Sequence, residues 1–162
     1  MGSNAEPHPR AGLAHRGIGL GVLVLVAGGG ALGSLARVGV GRVLSTSPRF
    51  PWATFAVNVA GAFVLAALAV LVLERGRGSR ALWLATATGF CGAFTTLSTV
   101  VVQVDLDVRA GDGLSAVLYG LVTLAAGVAA VLAGTALARW VWRQKDDLGH
   151  GARSTRGSTP WN

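Results

Sequence analysis

Hydrophobic residues fall in four long stretches, and charge is confined to the gaps between them. Residues 17–36, 50–73, 81–104 and 113–138 contain no Asp, Glu, Lys or Arg; these runs are 20, 24, 24 and 26 residues long. A helix needs about 20 apolar residues to cross a hydrocarbon core of about 30 Å, so each run is long enough to span. The first gap carries Arg37, Arg42 and Arg49, and the second carries Glu74, Arg75, Arg77 and Arg80. The third carries Asp105, Asp107, Arg109 and Asp112, and Arg139, Arg143 and Lys145 follow the fourth run. The pattern predicts an all-α membrane protein whose membrane domain covers 17–145, with transmembrane helices at about 17–41, 50–73, 81–104 and 113–142. Residues 1–16 and 146–162 are polar and read as tails without fixed structure. The first run is longer than the roughly 7–15 apolar residues of a cleaved signal peptide and is followed by three more, so it is expected to stay as a span.

Composition narrows the class further. The chain is 52% hydrophobic and only 13% charged, with a mean hydropathy of +0.56. Soluble domains carry about 25% charged residues, so too little polar surface is available to coat a water-soluble bundle. The net charge of +7 suggests nucleic acid, but the basic residues flank the spans instead of forming one face, so no nucleic-acid partner is expected. The partner implied is the lipid bilayer. One cysteine excludes a disulfide framework and a cysteine zinc site. His8, His15 and His150 all lie in the tails, so no rigid element holds a His–carboxylate pair and an enzyme is not expected. With both termini on one side, that side gathers eight basic residues near the membrane against four on the other. The positive-inside rule then puts the termini in the cytoplasm of a protein of the plasma membrane.

One motif misleads. Gly28-Gly29-Gly30-Ala31-Leu32-Gly33 fits G-x-G-x-x-G, but a dinucleotide site needs an acid about 20 residues on, and the next one, Glu74, lies 41 residues beyond Gly33. Gly29 and Gly33 read instead as a small-xxx-small face that lets another helix approach. Polar residues inside spans carry more information, because they are costly there. Thr54 and Asn58 are four apart in the second span, as are Tyr119 and Thr123 in the fourth. Thr95, Thr99 and Gln103 form an i, i+4, i+8 stripe in the third, with Thr96 and Ser98 beside it. Such groups serve either as interhelical glue, worth only about 0.6 kcal/mol each, or as a polar path. Asn58 puts the path on an equal footing with glue, since its own helix cannot satisfy its amide and three spans contribute stripes. The density of Gly, Thr and Ser over 89–99 predicts a break in the third helix, which a membrane tolerates where protein or a wet cavity satisfies the freed backbone. Arg37 lies near the end of the first span, within snorkelling reach of the interface.

These segments carry a family resemblance. Gly28-Gly29-Gly30-Ala31-Leu32-Gly33-Ser34-Leu35-Ala36-Arg37 resembles the first-span pattern of the CrcB/Fluc fluoride channels. Ala53-Thr54-Phe55-Ala56-Val57-Asn58-Val59-Ala60-Gly61 is similar to their G-T-L-x-V-N-x-x-G. The segment from Gly89-Phe90-Cys91-Gly92 through Thr95-Thr96-Leu97-Ser98-Thr99 is similar to G-F-C-G-G-x-T-T-F-S-T-F. The resemblance implies an antiparallel, dual-topology dimer of four-helix subunits with two pores along the interface. It implies a structural Na+ at the centre, held by backbone carbonyls matching Gly92 and Thr95. It implies a fluoride path along Asn58, Thr54, Ser98, Thr99, Tyr119 and Thr123, with Arg37 in a structural role. Such a channel lets fluoride, trapped in the cell after hydrofluoric acid enters and dissociates, leave down its electrochemical gradient. Amide and hydroxyl donors would replace the ion's hydration shell.

The chain departs from the pattern at Leu97 and Val100, where the family has phenylalanines, at Gln103, where it often has an acid, and at Gly127, where it has a serine. Together with the loop-charge bias, these departures suggest one half of a heterodimer whose oppositely oriented partner supplies the aromatics; a homodimer with a less aromatic pore stays open. A non-transporting scaffold subunit and a small multidrug-type exporter are the competing classes. The exporter lacks the intramembrane carboxylate that proton coupling needs.

Overall fold

A computed structural model of the chain describes residues 19–44, 50–74, 76 and 79–154, the last ten of these for the course of their backbone only. The expected N-terminal tail, 1–16, lies outside the described residues. Among them the structure is all helical. Helix α1 is Leu20–Leu44. Helix α2 is Trp52–Ala69 and continues as a wider π-helical turn, Val70–Glu74. Helix α3 starts as Arg80–Trp83, widens to a π-helix over Leu84–Cys91 and closes with Gly92–Phe94. Thr95 and Thr96 are extended, with ψ of 160° and 118°. Helix α4, Leu97–Arg109, and helix α5, Gly113–Ser154, complete the chain. Four segments are long and apolar enough to span: Leu20–Leu44, Trp52–Glu74, Arg80–Arg109 and Gly113–Gln144. The third contains the break. Leu32, Leu35, Leu114 and Leu124 are among many large apolar side chains left mostly exposed, which suits a lipid-facing surface and not water.

Close backbone approach organises the bundle. A Cβ on Gly29 would strike the Ala85 carbonyl oxygen, and one on Gly33 the Phe90 carbonyl oxygen, so α1 lies directly on the π-helical part of α3. Gly89 returns the fit against the Val26 carbonyl. Gly134 lets α5 meet the Phe63 carbonyl of α2, and Gly61 makes room for the Thr95 methyl at the break. Small residues are what helices in lipid use to gain dispersion contacts. The widening of α3 begins at Leu84, five residues before the glycine- and threonine-rich segment that predicted a break. Thr86 bonds its hydroxyl back to the Leu82 carbonyl at 2.6 Å, within the widened stretch, a bond that weakens the regular helical ladder.

The turn between α4 and α5 is sharply specified. Gly111 has φ of +82°, and Gly111 N–H and Asp112 N–H donate to the carbonyls of Val108 and Asp107, the pairing that ends a helix at a left-handed residue. Asp112 then caps α5 by accepting from Ser115 N–H at 3.1 Å, and its hydrogen bonds to Ser115 hold its carboxyl below the usual aspartate value. At the opposite end, Arg139 makes a two-pronged pair with Glu74 (Nη2 to Oε1 2.5 Å, Nε to Oε2 3.0 Å), tying α5 to the end of α2.

The C-terminal reading needs correction. Of the tail expected at 146–162, residues 155–162 lie outside the described residues, and α5 runs through 146–154 to Ser154. At about 1.5 Å per residue its 42 residues extend roughly 63 Å, twice the hydrocarbon thickness. No proline interrupts 113–154, and adding a residue to an existing helix is far easier than starting one.

Candidate functional site

The break leaves Thr96 without its helical partners, and Asn58 supplies both. Thr96 N–H donates to Asn58 Oδ1 at 2.7 Å, and Asn58 Nδ2 donates to the Thr96 carbonyl at 2.9 Å. A backbone N–H can only donate and a carbonyl can only accept, so the amide orientation is unambiguous. One proton of Nδ2 remains for another acceptor. Asn58 is thus first a clamp on the break, although the sequence reading gave it a place on a path.

Thr96 is buried, and its hydroxyl caps α4 by accepting from Thr99 N–H at 3.2 Å. The same oxygen lies 3.1 Å from Ser98 Oγ and 3.0 Å from Thr99 Oγ1. Sequence reasoning noted this residue without making it a site residue. The available signal was its position, a threonine directly before a helical run with a hydroxyl residue three places on. Thr95 turns the other way: its N–H and its hydroxyl both donate to the Cys91 carbonyl at 3.0 Å. The expected stripe of Thr95, Thr99 and Gln103 is therefore not a single face, because the extended backbone at 95–96 resets the rotation between Thr95 and Thr99.

Two cavities flank Thr96. The larger, about 500 Å³, is an open groove between α2, the break, α4 and α5; Asn58, Thr95, Thr96 and Thr123 contribute its polar wall, Val100 and Gly127 part of its apolar one. The smaller, about 280 Å³, is lined by Arg37, Gly41, Ala53, Thr54, Val57, Thr96 and Thr99. Arg37 is half-buried here and sits about two turns before the end of α1; its helix runs three residues further than the sequence suggested. Its placement is therefore a cavity wall, not the snorkelling end of a span. No carboxylate lines either cavity, so the smaller one has a positive potential. Among the described residues, no cluster of His, Cys, Asp and Glu suits a metal ion.

Tyr119 and Thr123 meet on α5. Tyr119 is 3% exposed, its ring packs edge-on with Phe50 (centroids 5.3 Å apart, 86° between planes), and Thr54 and Thr123 stand close to its hydroxyl. Neither the Tyr119 hydroxyl nor Thr123 Oγ1 has a hydrogen-bond partner of good geometry in the subunit, though both oxygens are buried. An unsatisfied buried hydroxyl costs about 1–3 kcal/mol, so these two are poised for a ligand or water.

The carbonyls of Gly92 and Thr95 are free for a related reason. The N–H groups four residues on, Thr96 and Thr99, are diverted to Asn58 and to the Thr96 hydroxyl. Hard cations take such oxygens, and Gly92 is exposed. Leu97 and Val100, the two departures from phenylalanine, differ in setting: Leu97 is 77% exposed and Val100 only 9%.

Four segments long and apolar enough to span, the third of them broken, and cavities with polar walls on both sides of the break define a small multi-pass membrane protein. The family model described as CrcB-like protein, Camphor Resistance (CrcB), matches residues 24–135. A protein named fluoride-specific ion channel FluC, from Agrobacterium fabrum (strain C58 / ATCC 33970), is 44% identical over 120 residues, 72% of this chain and 95% of that one. Its namesake in Chlorobaculum tepidum is 40% identical over 122 residues, 75% of this chain and 96% of that one. The fluoride-specific ion channel FluC 3 of Streptomyces avermitilis is 46% identical over 121 residues, 74% of this chain and 59% of that one. The chain belongs to the CrcB-like family.

Proposed function

We propose that this protein is a subunit of a fluoride-specific channel that lets cytoplasmic fluoride leave down its electrochemical gradient. The observation that carries the reading is Thr123, a buried hydroxyl with no partner of good geometry in a groove wall that offers uncharged donors and no carboxylate, with the Tyr119 hydroxyl buried close to it. Fluoride is a strong hydrogen-bond acceptor, and conduction requires binding firm enough to replace water and weak enough to release. A scaffold gains nothing from unsatisfied hydroxyls, so Tyr119→Phe separates the two. In liposomes loaded with fluoride and read with a fluoride electrode, the variant should pass the ion about tenfold more slowly while melting at or above the wild-type temperature, since it sheds an unpaired polar group. Unchanged efflux would remove the support of this hydroxyl; loss of both efflux and stability would make it glue.

The working unit is a dimer of antiparallel subunits in the plasma membrane, with the termini of this chain in the cytoplasm. The exposed groove beside Leu97 and the loop-charge bias support it, and the bias favours an oppositely oriented paralogue over a second copy. Reconstituted alone, this chain should then conduct weakly; fast efflux from the single gene product rejects the obligate paralogue. The carbonyls of Gly92 and Thr95 fit a structural Na+ shared between subunits, where the ion would supply positive charge at the dimer centre. Exchanging sodium for N-methylglucamine should lower the melting temperature of the purified protein, and an unchanged melt would count against the site.

A further inference from the structure

The hydroxyls at the start of α4 share too few acceptors to fix all their protons. A hydroxyl has one proton and two lone pairs. One lone pair of Thr96 Oγ1 is taken by Thr99 N–H. The other lone pair and the one proton must serve Ser98 Oγ and Thr99 Oγ1, at 3.1 and 3.0 Å. Two arrangements satisfy this. If Thr96 donates to Ser98, then Thr99 donates to Thr96, and the proton of Ser98 is the free one. If Thr96 donates to Thr99, then Ser98 donates to Thr96, and the proton of Thr99 is free. Each arrangement leaves one unspent O–H donor.

The two free protons address different places. Thr99 lines the smaller cavity with Arg37 and Thr54. Ser98 is exposed on the flank of α4, beside the outward-facing Leu97, and lines neither cavity. We propose that Thr96 is a positioning residue for ion transfer: rotation of its hydroxyl decides whether Thr99 or Ser98 presents a donor, and so hands an anion from the Arg37 cavity to the outer flank of α4. No covalent bond changes; three hydroxyl protons reorient together. The backbone on which this turns is fixed, because Asn58 holds both the N–H and the carbonyl of Thr96. The inference rests on the fluoride reading above.

Variants that leave Thr96 and its cap intact give the primary test. In fluoride-loaded liposomes, Ser98→Ala and Thr99→Val remove one destination each. A rotor with one missing destination fails as completely as a rotor with none. Each single variant should therefore slow efflux about tenfold, the scale of one lost hydrogen bond to an ion, and the double variant should be no slower than the worse single. Independent donors would instead give losses that multiply, which overturns the proposal. Thr96→Val should match the double variant, and Thr96→Ser, which keeps the hydroxyl, should stay within about twofold of wild type. A Thr96→Val protein that elutes and melts like wild type and conducts like it also overturns the proposal. Should that variant not fold, the Ser98 and Thr99 cycle decides. A wild-type protein without efflux, alone or with a paralogue, would instead refute the fluoride reading.

Discussion

Asn58→Leu is expected to abolish fluoride efflux and to destabilise the protein. Leucine branches at the same carbon as asparagine with the same number of side-chain heavy atoms and suits lipid better, so a hydropathy argument would favour it. The hydrogen bonds decide otherwise. Thr96 N–H and the Thr96 carbonyl each lose their partner, at 2.7 and 2.9 Å, in a part-buried segment. At about 1–3 kcal/mol for each orphaned group, the two together cost roughly 2–6 kcal/mol. The extended residues 95–96 would then relax toward helix, rotating α4 and carrying Ser98 and Thr99 away from their present positions. Asn58→Asp dissects the effect. A carboxylate still accepts from Thr96 N–H but repels the Thr96 carbonyl, and its charge opposes an anion. Protonation restores a donor, so this variant should recover structure as pH falls while the Leu variant does not. Thermal melts and efflux across pH check both. An Asn58→Leu protein with wild-type melting and transport would show that the clamp is dispensable and with it the account of the break.

The order of dependence follows from the same bonds. Asn58 holds Thr96; Thr96 caps α4 and orients Ser98 and Thr99; the diverted N–H groups of Thr96 and Thr99 are what leave the carbonyls of Gly92 and Thr95 free. One amide on α2 therefore governs both the hydroxyl donors at the start of α4 and the free carbonyl acceptors before it, within a few residues.

The four spans were legible because charge in a lipid core costs several kcal/mol per residue, and the sequence keeps it out of each run. The break was legible too, from the poor helix formers of 89–99. Its consequences were not. Periodicity assumes a continuous helix, so Thr95, Thr99 and Gln103 looked like one stripe, and only the extended backbone at Thr95–Thr96 separates them. The π-helical stretch Leu84–Cys91, against which α1 packs, left no mark in composition. The importance of Asn58 was visible as a polar group that its own helix cannot satisfy. Its partner, 38 residues away in sequence, could not be read from spacing. Arg37 shows the same limit: where α1 ends determines whether the guanidinium meets headgroups or a cavity, and helix ends are the least certain part of any pattern.

The glycine run of α1 offers the sharpest test of how the bundle is packed. Gly28, Gly29 and Gly33 lie within six residues on one helix, and by propensity alone each change to alanine should stabilise by about 1 kcal/mol. The packing sorts them. A Cβ at Gly28 meets nothing within 4 Å, so Gly28→Ala should be neutral or slightly stabilising. At Gly29 the Cβ would run into the Ala85 carbonyl, and at Gly33 into the Phe90 carbonyl. These obstacles are backbone atoms, not the ends of flexible side chains, so α1 must move off α3 as a body. Overpacking a core costs about 1–3 kcal/mol when side chains can yield; here Gly33→Ala should cost at least about 3 kcal/mol and Gly33→Val more. The shift also reaches the site, because Phe90 lies five residues before Thr95 in the segment that delivers the break. Fluorescence melts and size-exclusion profiles in detergent should rank Gly28→Ala with wild type, Gly29→Ala and Gly33→Ala well below it, and Gly33→Val as aggregated. Equal tolerance at all three positions would mean that α1 does not lie against the π-helical stretch as the structure places it.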